Sequence, residues 1–114
     1  MSTSCIFVWD MRLFFLLFFV PFLLLGQTPK EQAVNLIEIK QYQSAEVLMY
    51  KYVKKNSSDR QAIELLGDSY GHQKKWDNAI EQYKKLTQLE NNNANYHYKY
   101  GGALGMKALN VSKI

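Results

Sequence analysis

Residues 60–93 read RQAIELLGDSYGHQKKWDNAIEQYKKLTQLENNN, and two helical apolar patterns lie inside them. Ala62, Ile63, Leu66 and Tyr70 fall on one face of the first. Ala79, Ile80, Tyr83, Leu86 and Leu89 fall on one face of the second. The polar joint between them, residues 71–77, has Gly71 to open the turn and Asp77 as the expected N-cap. Two helices of about three turns on a short joint make an antiparallel hairpin. Neither helix can bury its apolar face alone, so such a hairpin needs stacked neighbours.

The pattern recurs at a shift of 34 residues: KKWDNA at 74–79 falls on KQYQSA at 40–45, and LGDSY at 66–70 falls on YGGAL at 100–104. Agreement at several positions in one register is stronger than one motif. It predicts two hairpins, 28–59 and 60–93, and the first helix of a third from residue 94.

The spacing resembles the tetratricopeptide repeat. That family's succession of large residue, Leu, Gly, Tyr, Ala, aromatic and apolar is met by Ile63, Leu66, Gly67, Tyr70, Ala79, Tyr83 and Leu86. Gly67 and Ala79 would let the two helices approach, with Tyr70 and Tyr83 filling the space beside them. Asn91 stands where the family usually has Pro, and the Asn run there can still end one helix and cap the next. The resemblance implies an all-α fold: helix hairpins stacked as a short right-handed solenoid. It also implies a concave groove, lined by the first helix of each hairpin, that holds a partner peptide or helix. By register the groove residues are Gln61, Glu64, Asp68 and His72, then Asn95, Tyr98, Gly102 and Met106, with Lys30, Val34 and Ile37 from the first helix. This is a mixed surface with an acidic middle. It lacks the Lys, Asn and Arg set with which some relatives clamp a terminal carboxylate.

The 114-residue chain is one small domain at most. Its net charge of +4, from 14 basic and 10 acidic residues, is spread along the helices without a basic block. That reads as a solvated surface and gives no sign of a nucleic-acid partner. Residues 13–25 are thirteen apolar residues, after Arg12 and before Gly26-Gln27. This is the pattern of a secretory signal peptide, too short for a comfortable span and interrupted by Pro21, with cleavage near Gly26 or Gln27. Residues 1–10 carry Asp10 and no basic charge, so translation is expected to begin at Met11. The expected location is the periplasm or cell envelope. An uncleaved anchor over residues 5–25 is the alternative, disfavoured by Asp10 and Arg12. Cys5 is the one cysteine, so the domain after the leader has no disulfide and no thiolate chemistry.

After the leader, Thr28-Pro29-Lys30-Glu31 is a capping box with Pro at the first helical position. Ala33, Leu36, Ile37 and Ile39 are this helix's apolar residues. The next helix spans 42–55 and buries Ala45, Leu48, Met49, Tyr52 and Val53. The 56–59 loop then caps the central hairpin. In the last helix, 94–109, Tyr100, Ala103 and Leu104 are expected inside, and Gly101, Gly102 and Gly105 are expected to permit close packing. Lys113 stands where the next repeat would need Ala; a capping helix would be polar outside, and Gly102, Gly105, Met106 and Leu109 are not, which favours a fragment of a longer protein over a capped end. The triplets Asn56-Ser57-Ser58 and Asn110-Val111-Ser112 match the glycosylation sequon and are read as silent.

His72 has only Asp68 one turn before it, and His97 stands apart, so no metal site is expected. The serines lack a base at recognisable spacing, no phosphate loop is present, and the eight tyrosines sit mostly at core spacing. No enzyme and no cofactor are expected. The leading expectation is an exported interaction scaffold for a protein or peptide partner, touching a membrane only through an uncleaved leader. The alternatives are the sensor or docking region of a larger membrane receptor or peptidase, or a structural piece without independent binding.

Overall fold

The computed structural model describes residues 26–112, in which every regular element is a helix. In chain order these are α1 Pro29–Glu38, α2 Tyr42–Lys55, α3 Arg60–His72, α4 Trp76–Leu89 and α5 Ala94–Ser112. Each packs on the next, and α1 also reaches α3, the arrangement of an all-α repeat solenoid. The leader, the start-site reading, Cys5 and Lys113 lie outside the described residues.

Each boundary repeats its chemistry after 34 residues. At the end of α1 the Gln41 N–H donates to Leu36 O at 2.8 Å; at the end of α3 the Lys75 N–H donates to Tyr70 O at 3.0 Å. These six-to-one bonds close Schellman turns, whose pivots are Lys40 (φ 63°) and Lys74 (φ 61°). Lysine in the left-handed region is strained, because its Cβ crowds the carbonyl that follows. The loops between hairpins also match. Asp59 accepts from the Ala62 N–H at 3.2 Å, and Asn93 accepts from the Tyr96 N–H at 3.3 Å. The Asn run therefore does cap the helix after it. At α1 the capping box forms in full, with Thr28 Oγ1 accepting from the Glu31 N–H and the Thr28 N–H donating to Glu31.

The core follows the apolar faces. Ala62, Ile63, Leu66 and Tyr70 of α3 are buried against Ala79, Tyr83 and Leu86 of α4. Ala33, Ala45 and Met49 are fully buried in the first hairpin, with Leu48, Tyr52 and Val53 half-buried. Each large aliphatic side chain shut away here stabilises by about 1.5–3 kcal/mol. Gly67 fulfils its expected role. A Cβ there would stand 2.6 Å from Cε1 of Tyr83, so only glycine lets that ring lie flat against α3.

Five expectations are corrected. Asp77 is not the cap: α4 starts at Trp76 on Lys75, whose side chain makes no capping bond, and Asp77 in the first turn instead pairs with Lys107 at 2.6 Å. Gly71 does not open the turn, since α3 runs on through His72 and Lys74 makes the reversal. Leu89 ends its helix exposed, beyond Leu86, the last buried residue of α4. Ile39 is 65% exposed because it is the C-cap of α1. In α5, Leu104 is exposed while Tyr96 is buried, and a Cβ placed on Gly101, Gly102 or Gly105 would meet nothing within 4 Å, so these glycines do not mediate close packing. That helix also runs on to Ser112.

Candidate partner-binding groove

The first helices of the last two hairpins, α3 and α5, stand side by side with α4 behind them. Register assigns to their facing sides residues 61, 64, 68 and 72 of α3 and 95, 98, 102 and 106 of α5; of these Glu64 meets Asn95, and Asp68, His72, Tyr98, Gly102 and Met106 line a shared cleft. Between them lies a cleft of about 870 Å³, whose walls include Asp68, Gly71 and His72 of α3 and Tyr98, Lys99, Gly102 and Met106 of α5. Trp76 and Tyr83 of α4 complete it.

Lys99 organises one side. Its ammonium lies 2.8 Å from Glu64 and 2.8 Å from Asp68. Asn95 donates to Glu64 at 3.1 Å, and the Tyr83 hydroxyl donates to Asp68 at 2.6 Å. Burial opposes the Lys99 charge, but its hydrogen bonds to Asp68 and Glu64 prevail and hold its pKa above the ordinary lysine value. Burial, then the neighbouring Asp68 charge, push the Tyr83 phenol far up, so it stays a neutral donor. The expected acidic middle is therefore a network of two carboxylates around one ammonium, with a single excess negative charge.

The remaining groove residues are arranged differently. His72 stands at the end of α3 and stacks on Tyr42 of α2, ring centroids 4.4 Å apart and 6° from parallel. Tyr98 is 79% exposed and Met106 is exposed on the same helix. Gln61 is exposed on α3. Lys30 is committed elsewhere, to Asp59 at 3.0 Å. The indole Nε1 of Trp76 is buried without a hydrogen-bond partner among the described residues.

Sequence register did not single out Lys99 or Trp76. A shift of 34 places Lys99 on Leu65, which packs against the core, and Lys75-Trp76 on Gln41-Tyr42. The signal for Lys99 was the spacing of Glu64 and Asp68, two carboxylates one turn apart that require a cation. Among the described residues no three His, Cys, Asp or Glu side chains gather as a metal-holding group, and no helix is long and apolar enough to cross a membrane.

Residues 67–107, from the middle of α3 well into α5, match the family described as TPR repeat. No curated protein matches the chain.

Proposed function

We propose that this chain, whose residues 67–107 match the tetratricopeptide-repeat family, a kind of domain suited to protein–protein interaction, is a non-catalytic scaffold that holds a partner peptide or helix in the groove between α3 and α5. The observation that carries this is the cleft itself. It combines exposed Tyr98 and Met106 as apolar contacts with the Glu64–Lys99–Asp68 network as a fixed polar wall. Aromatic and methionine side chains at the centre of a groove, with charges at its edge, are the composition of a protein-binding surface.

The apolar run at 13–25 supports export, and the protein is assigned to the periplasm or cell envelope on that reading. A second reading, the docking region of a larger membrane receptor or peptidase, requires a further helix over α5. Gly101 is the register equivalent of Gly67, which Tyr83 covers, yet among the described residues nothing covers Gly101. The mass of the native polypeptide separates the two.

The groove is tested by introducing a photo-reactive amino acid at Tyr98, in the cleft, or at Glu38, which is exposed at the end of α1. Adducts at Tyr98 and not at Glu38 support the groove. Adducts at Glu38 alone reject it.

A further inference from the structure

The ion pairs sort the charge of this chain by face. Lys30, Arg60, Lys75, Lys99 and Lys107 hold Asp59, Glu90, Glu46, Glu64 with Asp68, and Asp77, while Glu31, Glu38 and Glu81 have no ion pair among the described residues. Of the lysines without a carboxylate among the described residues, Lys40 and Lys74 stand at the turns and the rest on the outer helices: Lys51, Lys54 and Lys55 on α2, Lys84 and Lys85 on α4. Lys54, Lys84 and Lys85 border one cleft of about 550 Å³ between these helices, opposed only by Glu81. None of these five lysines lines the groove between α3 and α5.

The same face is also apolar. Val47, Tyr50, Lys51 and Lys54 recur at i, i+3, i+4 and i+7, so they form one stripe, directed away from buried Ala45 and Met49. Val47 and Tyr50 are 46% and 48% exposed, and the Lys54 ammonium lies over the Tyr50 ring at 4.6 Å. Large apolar side chains interleaved with lysines whose stems can lie along apolar surface are the make-up of an interfacial helix. A free polyanion would satisfy the lysines but leave Val47 and Tyr50 in water. A bilayer with acidic headgroups satisfies both.

We propose that the α2–α4 face docks this protein on an anionic membrane surface, lysines on the phosphates and Val47 and Tyr50 at the headgroup boundary. None of these side chains lines the groove, which is left free for its partner. Attraction of this kind grows with each basic residue near the surface and is screened by salt.

The test is sedimentation of the full chain with vesicles of phosphatidylcholine alone or of phosphatidylcholine with phosphatidylglycerol. The apolar run at 13–25 contributes to both, so the quantity read is the gain on anionic over neutral vesicles. The wild type is expected to show a gain that falls with salt. Joint substitution Lys51→Gln, Lys54→Gln, Lys55→Gln, Lys84→Gln and Lys85→Gln should lower anionic binding by about a hundredfold or more. The matching five Lys→Arg changes should keep it, and neutral binding should not change. If the joint Gln variant fails to fold by circular dichroism, the α2 set and the α4 set are made separately, and each must remove part of the gain. Equal binding to both vesicles overturns the proposal, as does a gain that survives the Gln changes. Lysine-dependent binding to heparin or polyglutamate with no gain on vesicles also overturns it, and assigns the face to a soluble polyanion.

Discussion

The hydroxyl of Tyr83 donates to Asp68 across 2.6 Å, and this one bond joins the packing of the repeat to the polar wall of its groove. The ring that makes it lies on Gly67, and the carboxylate that accepts it also holds Lys99 of the next repeat. Three helices are fixed relative to one another through that contact.

Replacing Gly67 by Ala puts a methyl group into the Tyr83 ring. The ring is buried and tied to Asp68, so it cannot swing aside freely. Overpacking of this kind costs about 1–3 kcal/mol, against a helix-propensity gain of about 1 kcal/mol. A net loss is expected in urea denaturation. Gly102→Ala, which meets only open space, should be neutral or stabilising by up to about 1 kcal/mol.

Lys99→Met leaves Glu64 and Asp68 facing each other without their cation. Because the cluster is about a quarter exposed, the expected loss is about 1–2 kcal/mol at neutral pH, below that of a fully buried pair. The Lys99 pKa is raised above 10.5 in the folded state, so its contribution is complete below that value and is lost as pH rises through the folded pKa. Melting curves of wild type and Lys99→Met should therefore converge above about pH 10.5. A constant gap would assign Lys99 a packing role alone.

Asp59 behaves in the opposite sense. Burial raises its pKa, but the Lys30 ammonium and the Ala62 N–H outweigh that and hold it below 3.8. Its stabilisation is present above that value and disappears as pH falls through the folded pKa. Asp59→Asn should be less stable at neutral pH, and the difference should shrink in melts taken below about pH 4.

Lys40 and Lys74 hold the same left-handed turn in successive hairpins. Glycine occupies that conformation without a Cβ clash. Lys74→Gly should stabilise by about 0.5–1 kcal/mol, the strain relieved exceeding the extra chain entropy lost. Calorimetry of Lys74→Gly and Lys40→Gly should show shifts of the same sign, as the repeat requires.

The hairpins were legible because period and register agreed. Ile63, Leu66, Tyr70, Ala79, Tyr83 and Leu86 are buried as spaced, and the α2 bounds fall where the pattern put them. The turn between α3 and α4 was misread because Gly71 and Asp77 are favoured turn and cap residues, while the strain of Lys74 leaves no mark in composition. The face of α5 was misread because register assigns Leu104 and the glycines a helix neighbour that the described residues do not contain. The spacing of Glu64 and Asp68 called for a cation but not for Lys99 in particular, and the sorting of the lysines was not legible, since ion pairing across some 30 residues depends on how far one helix is rotated against the next.

The central claim is that α3 and α5 form a partner-binding groove. It is tested most directly by titrating the partner captured at residue 98 against wild type, Tyr98→Ala and Val47→Ala. A loss of about tenfold or more in affinity for Tyr98→Ala, with melting temperature unchanged and Val47→Ala like wild type, is the expected result. Equal affinity for wild type and Tyr98→Ala would contradict it.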